Sequence, residues 1–192
     1  MDKYLFRRII TVVILFTIII FGFVWFFRKI GGKTSTPTTT PKIVLNEIAN
    51  TPKEVKFVTQ GRIVGNETYR EIRITVNRSS RVLEIVEGYE NTITSRTVFP
   101  NNEDAYKTFL SALADAGFTS SRVYRSTQMP QGTCPTGKRY WYQILDGVSF
   151  YQSLWSNSCN NSGTFNGKKS TVSWLFQNQI PDYNKLTQGV RL

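Results

Sequence analysis

Residues Ile9–Phe27 read IITVVILFTIIIFGFVWFF, a run of nineteen residues without a charged side chain. A helix of this length measures about 29 Å, close to the roughly 30 Å hydrocarbon core of a bilayer. Because every backbone polar group in lipid needs an internal partner, the run is predicted to be a transmembrane helix. Arg7 and Arg8 flank it on one side, and Arg28 and Lys29 on the other, where they would meet lipid headgroups.

The orientation of this helix is not decided by its flanking charges, since three basic residues precede it and three follow it closely. A short basic tail resists translocation, whereas a long domain translocates largely regardless of its charge. We therefore predict a cytoplasmic tail over residues 1–8, a single-pass signal anchor over residues 9–27, and an extracytoplasmic remainder. A cleaved signal peptide is the alternative, but the run is long for one and no small-residue cleavage site follows it.

Charge and composition restrict the classes of function. The chain has 192 residues and a formal net charge of +11, but residues 1–42 hold seven of its basic residues and a single acidic one. Residues 43–192 hold seventeen basic and twelve acidic residues, so nucleic acid is not favoured as a partner. The chain has no histidine, which excludes Ser-His-Asp triads, Cys-His dyads and most zinc sites. We expect neither a metal nor a cofactor.

The part of the chain after the anchor divides by composition into three segments. Residues 28–53 include GGKTSTPTTTPK and are predicted to be a Gly/Thr/Pro-rich tether, because they offer little to bury. A short helix within residues 43–53 is an alternative to continued tether. Residues 54–183 are predicted to form one domain, and residues 184–192 a frayed, flexible tail.

The periodicities within the domain predict an α+β fold with a small antiparallel sheet. Between residues 54 and 99, several runs alternate apolar and polar side chains around a turn at residues 77–80, as in a meander with one solvated face. A long amphipathic helix is then predicted, with Asn102 as its cap. Its apolar stripe consists of Tyr106, Phe109, Leu110 and Leu113. This helix should lie across the inner face of the sheet.

Further elements are predicted after this helix. The runs Val123–Arg125, Arg139–Leu145 and Phe150–Trp155 have the composition of strands. A short C-terminal helix is predicted over Val172–Gln179, with Ser170 or Thr171 as its cap.

Cys134 and Cys159 are the two cysteines of the chain, and both lie in loops rich in Gly, Pro or Asn. An even number of cysteines outside a membrane anchor favours a disulfide in an oxidising compartment, whereas two unrelated buried thiols are the alternative. A nucleophilic cysteine would need a base, and no histidine is present to serve. The surrounding GTCPTGK matches a phosphate-binding loop only in part, because Arg139 replaces the expected Ser or Thr and begins a strand-like run.

Aromatic side chains are concentrated in the two strands between and around the cysteines. Tyr140, Tyr142, Tyr151 and Trp155 are the candidates for positions that face a ligand, because aromatic faces on a sheet can stack on sugars or bases. Packing in the core is the alternative. Alternation sends Trp141 to one face of its strand and the two neighbouring tyrosines to the other.

A set of short motifs spans most of residues 55–183. It includes Gly88-Tyr89, Asn101-Asn102, Ala116-Gly117-Phe118, Leu154-Trp155 and Gln179-Ile180-Pro181-Asp182-Tyr183. In these motifs the chain resembles uncharacterised single-pass membrane-anchored proteins of Saccharibacteria-like candidate-phylum bacteria. The resemblance implies a bacterial cell-envelope protein and implies no particular activity.

The sequence therefore predicts a membrane-anchored extracytoplasmic module that binds or scaffolds within the cell envelope. Its partners would be the lipid bilayer, through Ile9–Phe27, and another envelope protein or a cell-wall glycan. A cell-wall hydrolase is one alternative, and it would need carboxylates that converge, for example Glu84, Glu87 and Glu90.

Capture of nucleic acid at the cell surface is the other alternative. It would need a basic face with exposed tyrosines beside it. The basic residues available for such a face are Arg122, Arg125, Lys138 and Arg139.

Overall fold

The computed structural model of the chain describes residues 44–124, 130–159 and 163–192, all within the unit Lys42–Leu192. These residues form an α+β fold with one six-stranded antiparallel sheet and five helices, which confirms the fold class predicted for the domain. The predicted transmembrane helix Ile9–Phe27 and its basic flanks lie outside the described residues. Within the described ranges, no helix is both long and apolar enough to cross a membrane.

The strands are β1 (Glu54–Gln60), β2 (Arg70–Val76), β3 (Ser80–Glu87), β4 (Thr92–Pro100), β5 (Arg139–Asp146) and β6 (Ser149–Asn157). The helices are α1 (Leu45–Ile48), α2 (Glu103–Asp115), α3 (Pro130–Thr133), α4 (Lys169–Gln177) and α5 (Tyr183–Leu186). The order of strands in the sheet is β4-β3-β2-β1-β5-β6, and every neighbouring pair is antiparallel. Strands β1 to β4 are the predicted meander, and the β5–β6 hairpin adds to the free side of β1.

The turn between β2 and β3 is built by one side chain. The Asn77 Oδ1 atom accepts hydrogen bonds from the backbone N–H of Ser79 at 3.0 Å and of Ser80 at 2.8 Å. An asparagine that bonds to the backbone ahead of it mimics a turn, as its place between two strand-like runs predicted.

Helix α2 begins at the cap that the sequence predicts. The Asn102 Oδ1 atom caps it by accepting a hydrogen bond from the Ala105 N–H at 2.9 Å. Gly117, at φ 74°, ends it, and the Phe118 N–H returns to the Leu113 carbonyl at 2.9 Å. The four residues of the predicted apolar stripe are all buried.

The core lies between the inner face of the sheet, which is the face covered by α2, and the helices. Phe176 of α4 connects the layers, since its ring centroid is 5.4 Å from that of Phe57 on β1 and 5.2 Å from that of Phe109 on α2. The central strands contribute the buried residues Val55, Phe57, Ile72, Ile74, Val76, Tyr142 and Ile144. Burial of such side chains stabilises a domain by about 1.5–3 kcal/mol each.

Two segments after α2 differ from the prediction. Val123 and Tyr124 form no strand; the pairing there is an isolated bridge between Ser121 and Phe165, while Arg125 lies outside the described residues. The Tyr124 ring instead packs edge-on against Trp155, at 5.0 Å between centroids. Tyr124 thus packs through its side chain without a backbone ladder, whereas Val123 is exposed.

Helix α4 also differs in its limits from the predicted Val172–Gln179. It begins at Lys169 and ends at Gln177, and neither Ser170 nor Thr171 caps it, because both lie inside its first turn. Lys168 takes the N-cap position and makes no side-chain capping bond.

Both ends of the predicted domain extend further than the sequence indicated. Helix α1 lies before the predicted boundary at residue 54, and its Leu45 and Ile48 side chains are buried in the core together with Ala49. At the other end, residues 184–192 were predicted to be a frayed tail. The structure instead places α5 there and packs Leu186 and Leu192 against the core. These apolar residues are too few to show a periodicity, so their packing could not be predicted.

We expect a fragment of residues 54–192 to be less stable than one of residues 42–192. Loss of the buried Leu45 and Ile48 side chains should lower the free energy of unfolding by about 3 kcal/mol or more. Urea unfolding of the two fragments under oxidising conditions measures the difference. In the longer fragment, replacement of the exposed Val44 by Ala is the control and should have little effect. Equal stabilities of the two fragments would show that α1 belongs to the tether.

Cys134 and Cys159 form a disulfide with a Cα–Cα separation of 5.8 Å, which confirms the predicted pairing. The bond connects the loop before β5 to the end of β6. Gly137 lies against it so closely that a Cβ atom there would be 2.4 Å from the Cys134 Sγ atom, so this position requires glycine. Strand β5 follows the loop at Arg139, where a phosphate-binding loop would open a helix.

Replacement of both cysteines by Ser should lower the melting temperature by several degrees and leave the fold intact. The bond closes a loop with a sequence separation of 25. In the chain-entropy model such a loop contributes about 3 kcal/mol. Thermal unfolding followed by circular dichroism measures the shift, with the oxidised protein as reference. An unchanged melting temperature, or free thiols on protein taken from its native compartment, would contradict a structural disulfide.

Candidate functional site

The predicted aromatic candidates do not lie on one surface. Tyr142 is 1% exposed and belongs to the core, where its ring stacks on Phe165 at 3.6 Å and its hydroxyl lies 3.0 Å from the Ser156 hydroxyl. Burial raises the pKa of Tyr142 far above its usual value. Tyr140 points to the same inner face and is half-buried, with the Lys169 Nζ atom 5.6 Å from its ring centroid. Tyr142 is therefore not available to a ligand.

The other two candidates lie on β6 and are also separated from each other. Trp155 is 7% exposed and packs against Trp141 at 6.4 Å between centroids. Tyr151 is 52% exposed, at the irregularity where the register between β5 and β6 shifts, and the Lys53 ammonium lies 5.0 Å from its ring centroid. Of the four aromatic residues, Tyr151 alone is mainly solvent-exposed.

A groove lies instead on the outer face of the sheet, opposite α2. This outer groove has a volume of about 460 Å³ and is open to solvent. Its lining residues are Lys56, Val58, Gln60, Glu71, Arg73, Asn91, Trp141, Gln143, Phe150 and Ser153.

Strand alternation and register bring these side chains together. On β1, the core residue Phe57 separates Lys56 from Val58, so both of these point to the outer face. Val58 lies opposite Trp141 of β5 on one side and Arg73 of β2 on the other. Three adjacent central strands therefore form the floor of the groove, and the side chains that line it are mostly polar.

Glu71 is the buried carboxylate of the groove, at 3% exposure. Its Oε1 atom accepts a hydrogen bond from the Arg73 Nε–H in an ion pair, and its Oε2 atom accepts from the Gln60 amide at 2.9 Å and the Tyr69 hydroxyl at 3.4 Å. The Arg73 guanidinium in turn donates to the Asn91 Oδ1 atom at 2.5 Å. Burial first and the Glu71 charge second raise the pKa of Tyr69 to about 12. Both oxygens of the Glu71 carboxylate therefore have partners within the protein.

Arg139 continues this polar network into the protein. Arg139 is 1% exposed, and its guanidinium donates to the Gly61 carbonyl, to the Cys134 carbonyl at 3.2 Å and to the Gln60 Oε1 atom at 3.4 Å. The basic face that nucleic-acid capture would need is therefore not formed as proposed, because Arg139 is buried while Lys138 is exposed. Arg125 lies outside the described residues.

Two residues that line the groove have fewer polar partners than the residues of this network. Lys56 forms no ion pair with a described residue, and burial, followed by repulsion from Arg73, lowers its pKa. The Trp141 Nε1 atom is buried without a hydrogen-bond partner in the described part of the chain. Phe150 adds an exposed aromatic ring at the rim.

The acidic residues considered for hydrolysis are held in separate ion pairs. Glu84 pairs with Arg96 at 3.4 Å, and Glu87 pairs with Arg70 at 2.5 Å. Neither lines the outer groove. Within the described ranges, no group of acidic and cysteine side chains is arranged to hold a metal ion.

The sequence contained one signal of this groove. Alternation had placed Trp141 on the opposite face from the tyrosines, and the structure shows that the tyrosines face the core while the tryptophan lines the groove. The contributions of Lys56, Glu71 and Arg73 depend on the register of three strands, which no local pattern specifies.

Comparison with known proteins gives no match. No protein-family model fits the chain, no curated protein is significantly similar to it, and no solved structure matches it.

We expect Arg139→Ala to lower the free energy of unfolding by about 3 kcal/mol, because it leaves the buried Gly61 and Cys134 carbonyls without their donor. The matched control is Lys138→Ala, which removes an exposed charge next to it and should cost less than about 0.5 kcal/mol. Urea unfolding of both variants with the disulfide intact makes the comparison. Similar effects of the two substitutions would show that the Arg139 network does not stabilise the fold.

Proposed function

We propose that this protein is a single-pass membrane-anchored module whose domain lies outside the cytoplasm and binds a ligand in the outer groove. The observation that carries the proposal is the groove itself, where three central strands present charged, amide and aromatic side chains to solvent. A charged pair, several amides and an exposed ring thus meet on one open surface, as in sites that recognise a small ligand.

The location rests on two sequence features. Ile9–Phe27 has the length and composition of a membrane span, and the chain after it is long enough to translocate regardless of charge. The disulfide between Cys134 and Cys159 supports an oxidising compartment for the domain, because disulfides rarely persist in the cytosol.

The groove favours binding over hydrolysis. Glu71 is the single carboxylate among its lining residues, and an ion pair and two hydrogen bonds occupy its oxygens. A glycosidase-type mechanism would need a second carboxylate as its partner. The neighbouring Glu84, opposite Arg73 on β3, is paired with Arg96 and does not line the groove. We therefore propose a binding module rather than an enzyme.

A scaffolding role is the second candidate, and one observation favours it. Strand β4 is one of the two edges of the sheet and is exposed along most of its length, including the apolar residues Ile93 and Val98. An exposed edge strand can pair with an extended segment of another protein, so an envelope protein could dock there.

We expect the full-length protein to remain in bacterial membranes after an alkaline carbonate wash. Protease added to intact spheroplasts should cut the part of the predicted tether that precedes α1, residues 28–43, and release the folded domain. The double substitution Leu15→Arg and Ile19→Arg should abolish retention, because each central arginine costs about 2.5–3.5 kcal/mol on insertion scales. Leu15→Ile with Ile19→Val is the matched control and should be retained.

Three results would contradict this placement. They are release of the protein by carbonate, cleavage of the tether only after the spheroplasts are lysed, and a mature N-terminus that begins beyond Phe27.

A further inference from the structure

We infer that the outer groove binds an acidic oligosaccharide, with a sugar carboxylate placed against Lys56 and a sugar ring against Phe150 and Trp141. This inference rests on the proposed binding function and adds the chemical class of the ligand.

The charges of the groove favour an anionic ligand. Arg73 and Glu71 neutralise each other in their ion pair, and Arg73 also bonds to Asn91. Lys56 makes no ion pair with a described residue; Glu84, Glu71 and Glu54 attract it from beyond ion-pair distance, and neither Glu84 nor Glu54 lines the groove. The lining residues Lys56, Arg73 and Glu71 therefore carry one net positive charge. A partly buried ammonium gains most from a ligand that brings a negative charge, since water solvates it less well than at the surface.

The remaining side chains suit a ligand that has both hydroxyl groups and flat apolar faces. The Gln60 amide is engaged by Glu71 and Arg139, and the Asn91 Oδ1 atom by Arg73. The Asn91 amide nitrogen, the Gln143 carbonyl oxygen and the Ser153 hydroxyl remain to bond sugar hydroxyls. Phe150, at 62% exposure, offers a ring face at the rim. Sites with a few convergent polar groups beside aromatic rings are typical of small-molecule recognition.

Two other ligand classes fit the groove less well. An extended peptide binds a sheet through unpaired main-chain groups at an edge, but the floor of this groove is formed by β2, β1 and β5, which are paired with one another. A nucleic acid would need several unpaired basic residues to contact successive phosphates, and the groove offers one, Lys56.

The test uses the full-length protein in lipid nanodiscs and measures binding by calorimetry. The probes are tetragalacturonate and its fully methyl-esterified form, which has the same rings without the charges. We expect the acidic form to bind about tenfold more tightly than the ester, because a ligand carboxylate would form a charge pair with the partly buried Lys56. Lys56→Met should remove this difference, whereas Lys138→Met, which deletes an exposed charge outside the groove, should keep it.

Phe150→Ala tests the ring contact separately. Because a stacking contact does not depend on the ligand charge, this variant should weaken both probes by a similar factor of about five. The matched control is Val148→Ala in the same hairpin, which is fully exposed and does not line the groove. A Phe150→Ala variant that binds as tightly as the parent would remove the ring from the site.

The inference fails if the two probes bind equally, if neither binds, or if Lys56→Met has no effect. A photo-crosslinking residue in place of Ser153, used in living cells, distinguishes this failure from failure of the proposed function. The same residue placed at the exposed Trp174 on α4 is the control. Adducts at position 153 but not at position 174, together with no oligouronate binding, would support a ligand in the groove and exclude acidic oligosaccharides as that ligand. No adducts at position 153 would count against the binding function itself.

Discussion

The contact of Phe176 with Phe57 is the constraint on which the rest of the domain depends. Helix α4 reaches the centre of the sheet through this contact, and Phe109 of α2 packs against the same ring. Once Phe57 faces the helices, alternation along β1 and register with β2 and β5 fix which residues face the other way. The outer groove is thus a geometric consequence of how the core is closed.

Polar side chains on the outer face divide into those that support the fold and those that do not. Arg139, Gln60 and Glu71 form a connected network that satisfies buried carbonyls and holds the loop at Gly61. Lys56 and the Trp141 Nε1 atom lie outside this network. Lys56 is half-buried and makes no ion pair with a described residue, so it can contact a ligand in the groove without breaking an ion pair of the fold.

Features of the fold that depend on residues close together in the sequence could be predicted, whereas those that depend on distant residues could not. The cap at Asn102, the turn at Asn77 and the stripe of α2 depend on neighbours within about one helical turn, and all were predicted correctly. The groove depends on pairing between strands far apart in the sequence, since β5 joins β1 across α2. Local patterns could separate Trp141 from the tyrosines, but they could not show which set would face the core.

The disulfide and the polar network act on the same end of the sheet. Cys134 lies just before β5, and its carbonyl accepts a hydrogen bond from Arg139, which begins that strand. A crosslink over this separation contributes about 3 kcal/mol in the chain-entropy model. Because β5 also carries Trp141 and Gln143 of the groove, the restraint on its start helps to hold the floor of the groove in register with β1.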